Sequence, residues 1–240
     1  MTDYPEEIKN FLENIPDTFD ILEEGIDMET QKEYFDYSHT FEQGELSKEK
    51  TLQLSALLFS DETPPESKKK VMALLAHLGS ITAYRELEKY HGNSDRELKQ
   101  WAALALHECR MFLESELTEQ DSVFISSGLG GAKNKMRFYF LLLSNIIDTP
   151  FTHSQQNIIQ NELNLIANQL NCIVESLDFS GDSVGFTVLI PMDVAVATFI
   201  ETGIENCNEL GNFVFEHYYV TNMNIPNKEE IEEIIKKVRE

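Results

Sequence analysis

Near residue 120 the apolar residues of this 240-residue chain change their period. Upstream they recur at every third or fourth position. Downstream they fall into short alternating or continuous runs, separated by segments of helical spacing. A period of 3.6 places side chains on one face of a helix and a period of 2 on one face of a strand, and neither pattern serves for the other. The switch therefore predicts a helical half followed by a half of alternating strand and helix. It lies within Asp121–Asn145, where Val123-Phe124-Ile125 leads into a glycine-rich run and then into the apolar stretch Met136–Leu143.

In the first half, Ile8, Phe11 and Leu12 predict a helix over residues 3–14. Short helices follow near Thr18–Glu24 and from Met28 onward with Tyr34, Phe35 and Tyr37. Ser47 reads as an N-cap for Lys48–Phe59, with Leu52, Leu54, Leu57 and Leu58 as its apolar residues. After the break at Pro64-Pro65, Ser67–Leu78 reads as a helix ended by Gly79. Ser80 caps the next helix, and Ser94 caps a long one carrying Leu98, Trp101, Leu104, Cys109 and Phe112.

The run Leu74–Leu106 resembles a HEAT-type helical repeat. The marks are the Leu78-Gly79 helix end, Ala83 and Leu87 in the following helix, Asp95 after a short turn, and the block Ala102-Ala103-Leu104-Ala105-Leu106. The resemblance covers about one unit and implies a broad surface for protein partners, since such units bury their faces by stacking. Two arrangements fit the upstream helices: divergent further units, or a compact helical domain with one HEAT-like hairpin pair.

In the second half, Met136–Leu143 reads as a strand covered on both faces. Thr152 caps a helix to Leu170. Asn171–Phe179 and Val184–Ile190 read as strands joined at Ser180-Gly181-Asp182-Ser183. A helix starts at Pro191 and ends near Leu210-Gly211, Phe213–Val220 is the last strand, and Lys228–Glu240 a charged helix. The order β-α-β-β-α-β resembles the ferredoxin-like split βαβ arrangement. The expected fold class is α+β: a HEAT-like helical domain over residues 1–118, a Gly-rich linker or hairpin over 119–135, and a ferredoxin-like domain with a C-terminal helix over 136–240.

Charge enters through partners. The net charge is −23, and residues 1–66 alone carry 18 Asp/Glu against 4 Lys. Such a surface repels phosphates and anionic membranes, so the expectation is no nucleic acid and no membrane. No run of about 18 apolar residues occurs. The first residues lack the basic and apolar regions of a signal peptide. Three widely spaced cysteines, Cys109, Cys172 and Cys207, form no metal or disulfide pattern. These observations point to a cytoplasmic protein with no cofactor.

The one basic island in the chain is also its most glycine-rich segment. Ser127, Gly128, Gly130, Gly131, Lys133, Lys135 and Arg137 are the candidate ligand residues, a nest of backbone amides flanked by cations that would cradle an anion. The competing reading is an interdomain or hairpin loop whose cations pair with the protein's own acids, because the run matches neither phosphate-loop motif and precedes a strand. The six histidines show no metal spacing, although His77 and His107 both fall in the HEAT-like helices. Ser126-Ser127 lack the surroundings of an activated nucleophile. Lys68-Lys69-Lys70 read as a salt-bridging surface, Trp101 as core, and Tyr218 as an exposed or buried member of an aromatic last strand.

No catalytic constellation is assigned. The leading expectation is a non-enzymatic protein-interaction scaffold. The alternative is a regulatory or enzymatic protein that binds a small anionic ligand at 128–137. Self-association through a sheet edge into a homodimer is compatible with either.

Overall fold

The computed structural model describes residues 19–40, 44, 46–118 and 123–240. The helix expected over 3–14 lies outside them. The chain is α+β and divides into two compact units, residues 1–126 and 127–240.

The first unit is built on its longest helix. Its elements are β1 (Phe19–Ile21), α1 (Met28–Ser38), α2 (Lys48–Ala56), α3 (Pro65–His77), α4 (Ile81–Asn93), α5 (Lys99–Thr118) and β2 (Val123–Ile125). Caps set several boundaries: the side chains of Asp27, Ser47 and Ser80 accept amides of the first turns of α1, α2 and α4. Helices α1, α3 and α4 all pack on α5. The small residues Ala102, Ala103 and Ala105 are at most 4% exposed, which lets these helices approach closely. Trp101 is buried against Tyr34 and donates its ring N–H to the Lys69 carbonyl.

This packing does not support the HEAT-like repeat. Solenoid units contact only their neighbours in sequence, whereas α1 and α5 are separated by three helices and share one core. Residues 19–21, expected in a helix, are instead a strand paired in parallel with Val123–Ile125. Leu22 N–H donates to the Ile125 carbonyl, and Phe124 packs on Phe35 and His107. A partner about 100 residues away outweighs weak local helix propensity. Ser94 does not cap α5: α4 runs on to Asn93, and the Ser94 hydroxyl donates to the His91 carbonyl. In α2 the buried positions are Thr51 and Ser55, while Leu52 is exposed, as is Leu57 just beyond its end.

The second unit comprises β3 (Gly131–Ala132), β4 (Lys135–Leu143), α6 (His153–Gln169), β5 (Ile173–Ser180), β6 (Ser183–Pro191), α7 (Val196–Glu209), β7 (Tyr219–Thr221) and α8 (Lys228–Arg239). Strand β4 is central. Strand β6 pairs with one side of it, β3 and β7 with the other, and β5 pairs with β6, all antiparallel. This is the ferredoxin-like strand order.

Both faces of β4 are covered, which accounts for its continuous apolar sequence. Phe140 and Leu142 join Phe186, Val188, α6 and α7 in the main core. Tyr139, Leu141 and Leu143 face the other way, toward Ile231, Ile234, Ile235 and Val238 of α8. A capping box on Asn227 and Glu230 starts α8, and Arg239 anchors its end on Asp182 and the Ser144 carbonyl, both at 3.0 Å.

Two boundaries differ from expectation. Helix α7 begins at Val196 rather than Pro191. Of Phe213–Val220, only the end belongs to a regular strand: Val214 makes a single antiparallel bridge to Ser144, with Phe215 N–H donating to the Leu143 carbonyl and Asn145 N–H to the Phe213 carbonyl, while the Asn208 side chain takes the backbone groups of Val214 that face away from β4.

Candidate functional site

Each residue of the glycine-rich island has a structural task within the second unit. A Cβ on Gly128 would lie 1.7 Å from the Met223 carbonyl oxygen, so only glycine allows this approach. Leu129 N–H donates to the Asn222 carbonyl at 2.9 Å beside it. Gly130, at φ +65°, accepts at its carbonyl from the Ser127 hydroxyl and from Arg137 N–H. Gly131 is the first residue of β3. Lys133 and Asn134 form a two-residue turn to β4, both at positive φ.

The cations are mostly committed as well. Arg137 makes a bidentate pair with Glu175 at 2.6 and 2.9 Å and donates to the Leu129 carbonyl at 2.7 Å. Lys135 is 8% exposed, and only Lys133 stands in solvent. The loop thus ties β3, β4 and the segment after β7 together and leaves little charge for a ligand.

The site that sequence reasoning missed lies on the face of the same sheet beneath α8. Pairing register sets three cross-strand rows there: Tyr139–Thr187–Ser176, Leu141–Gly185–Asp178 and Leu143–Ser183–Ser180. A bulge between Val174 and Ser176 shifts β5 so that Ser176, Asp178 and Ser180 share this face. Helix α8 covers the β4 members and leaves a groove of about 700 Å³ over β5 and β6, with Lys228, Ile231, Glu232 and Ile235 as its helical wall. That volume is in the range of small-molecule sites.

Tyr139 organises the groove. Its phenol lies across Gly185, where an added Cβ would fall 2.3 Å from the hydroxyl. The side chain is 5% exposed, yet its hydroxyl has no hydrogen-bond partner among the described residues. Burial pushes the phenol up from its ordinary value, with Asp178 and Tyr219 adding to the shift, so it remains a neutral donor. Ser176 and Thr187 share a hydrogen bond of 2.7 Å. Asp182 is neutralised by Arg239. Asp178 and Glu232 have no ion-pair partner among the described residues.

The alternation of polar residues in Ser176–Ser180 and Ser183–Thr187 was the available signal. It marks one face of a hairpin, but not what lies over that face.

The first unit holds two polar clusters. Buried Glu108 accepts from the Tyr34 and Ser38 hydroxyls at 2.6 and 2.7 Å, with His77 at 3.7 Å. His107 and Arg110 converge on Asp20, which ties β1 to α5. His77 and His107 therefore serve different clusters, and no group of three or more metal-ligating side chains occurs among the described residues. Lys69 bridges Glu33 and Glu66, whereas Lys68 is buried over the Tyr90 ring. No helix among the described residues is long and apolar enough to cross a membrane.

No family model matches the chain, and no curated protein matches it. Two solved structures are similar in part. One is a REP-associated tyrosine transposase bound to a REP hairpin, with a TM-score of 0.34 and 6% identity over 44% of this chain and 65% of that one. The other is a putative transposase from Deinococcus radiodurans R1, with a TM-score of 0.35 and 11% identity over 44% of this chain and 89% of that one. The chain thus spans about two thirds of the REP-associated transposase.

These comparisons correct two expectations, the protein-interaction scaffold and the absence of a nucleic-acid partner. The similar structures are a transposase bound to a REP hairpin and a putative transposase. The exclusion of nucleic acid rested on a whole-chain charge of −23, while the potential at a surface is set by charges within about 10 Å of it. The likenesses remove that exclusion and carry no function to this chain.

Proposed function

We propose that the second unit is a binding module whose ligand is a small hydrogen-bonding molecule held in the groove between the β4–β6–β5 face and α8. The observation that supports this is a groove of about 700 Å³ floored by Ser176, Asp178 and Thr187, with Tyr139 among its lining side chains and its hydroxyl without a hydrogen-bond partner among the described residues. This site is distinct from the 128–137 loop and has the opposite charge. A cytoplasmic location is part of the reading, supported by three buried cysteines, none of them in a disulfide.

The test is a ligand screen on the full chain by amide NMR, with small polyols, amines and amino acids, and a hairpin oligonucleotide as comparator. The expected result is saturable shifts in β5, β6 and α8 that disappear in Gly185→Ala, whose methyl group displaces the Tyr139 phenol. Shifts from the oligonucleotide alone, or small-molecule shifts that survive Gly185→Ala, would overturn it.

A further inference from the structure

We infer that α8 is a lid: it opens from the sheet as a unit while the rest of the second unit stays folded, and Arg239 is its latch. The lid stands on packing alone. That it governs entry to a ligand site rests on the groove being that site.

The two faces of the sheet hold their helices differently. On one face, α6 buries Ile159, Leu163 and Ile166, and α7 buries Phe199 and Ile200. On the other face, no residue of α8 is buried. Ile231, Ile234, Ile235 and Val238 pack on Tyr139, Leu141 and Leu143, but each keeps part of its surface in water. Burial stabilises in proportion to the apolar area removed from water, so α8 is held more weakly than α6 or α7.

Polar ties to the sheet are as sparse. The capping box on Asn227 and Glu230 closes on the first turn of α8 itself. Among the described residues, Arg239 is the one side chain of α8 hydrogen-bonded beyond the helix, to Asp182 and the Ser144 carbonyl. Its guanidinium also lies over the Phe215 ring. Its Nε is buried without a partner, and opening returns that group to water. Twelve residues are at the lower limit for an isolated helix in water, so α8 unravels once it leaves the sheet. Pro226, buried just before the helix, marks the hinge. Opening bares Tyr139, Leu141 and Leu143 and removes the helical wall of the groove.

Native-state hydrogen exchange on the full chain, without ligand, is the test. The α8 amides should exchange at least about 100-fold faster than the slowest amides of β4 and β6. Arg239→Gln removes the latch and should speed α8 exchange about tenfold, the size expected for hydrogen bonds made by a charged group. Lys237→Gln removes the same charge from the same turn, at an exposed position, and should change it less than about threefold. Ile159→Val, in the core on the other face, destabilises the closed and the open form alike. It should speed β4 and β6 exchange about fivefold and leave α8 exchange unchanged.

If α8 exchanges as slowly as β4, or if Ile159→Val speeds both by one factor, α8 opens only when the whole unit unfolds and the lid is refuted. If Lys237→Gln speeds α8 as much as Arg239→Gln does, net charge holds the helix and the latch is refuted. A failed small-molecule screen alongside the expected exchange rates overturns the groove and the gating role, while the lid stands.

Discussion

Replacing Gly128 with Ala tests whether the glycine-rich loop is a structural tie. The new Cβ would sit 1.7 Å from the Met223 carbonyl oxygen, 2.4 Å from its carbon and 2.7 Å from its Cα. Bringing the closest pair to ordinary contact at 3.4 Å requires the two backbones to part by about 1.7 Å. A shift of that size breaks the 2.9 Å bond from Leu129 N–H to the Asn222 carbonyl. Losing it costs about 1 kcal/mol, and residual overpacking adds about 1–3 kcal/mol, so the expected loss is about 2–4 kcal/mol. Hydrogen exchange of the slowest β4 and β6 amides reads this directly. An opening free energy lower by about 2 kcal/mol speeds exchange about 30-fold. Lys133→Ala, at the exposed tip of the same loop, should change exchange less than threefold, the effect of about 0.5 kcal/mol or less expected at an uninvolved surface site. If Gly128→Ala exchanges as slowly as the parent, the steric reasoning is refuted. If Lys133→Ala is the destabilising variant, the structural assignment of the loop is refuted too.

Three further outcomes follow from the first unit and from the cysteines. Glu108→Leu leaves the Tyr34 and Ser38 hydroxyls without their acceptor. At about 1–3 kcal/mol for each of the two orphaned donors the loss is about 2–6 kcal/mol, read by urea unfolding followed through Trp101, the only tryptophan. Burial holds the His107 imidazole below its ordinary 6.5, with Glu114 opposing the shift. The unfolded chain therefore takes up a proton before the folded one does, so this contribution to stability is complete above pH 6.5 and is lost as pH falls through the folded-state value. His107→Gln should flatten that part of the profile, and an unchanged slope would assign it to other groups. Burial pushes the Cys109 and Cys207 thiols up to about 12. Both should label with a thiol reagent only as fast as the protein opens, and rapid labelling of the native protein at pH 8 would contradict their burial.

Local pattern was enough for the elements whose ends are set by short-range chemistry. The capping residues Ser47, Ser80 and Thr152, the Gly79 terminus, the turn at Gly181-Asp182 and the alternation of β5 and β6 are all visible in a few neighbouring residues. They are sufficient for the α+β class and for the ferredoxin-like strand order. Elements whose partner is remote were misread. Phe19–Ile21 is a strand only because Val123–Ile125 lies beside it. Phe213–Tyr218 is reduced to one bridge, Val214 to Ser144, with the outward backbone groups of Val214 taken by the Asn208 side chain. The HEAT-like pattern identified real helices, but their packing on α5 follows from which buried faces meet.

The candidate site divides in the same way. Three glycines and three cations in a row are conspicuous in sequence, yet what a cation does depends on the carboxylate opposite it, and Glu175 lies 38 residues beyond Arg137. The polar face of β5 and β6 was equally present in the sequence. It became a groove only when α8, more than 40 residues further on, came to lie over half of that sheet face. Periodicity and capping are local properties of the chain, so the sequence alone determined its elements and the fold class. A ligand site depends on enclosure and on which charges remain unpaired, and only the tertiary structure decided those.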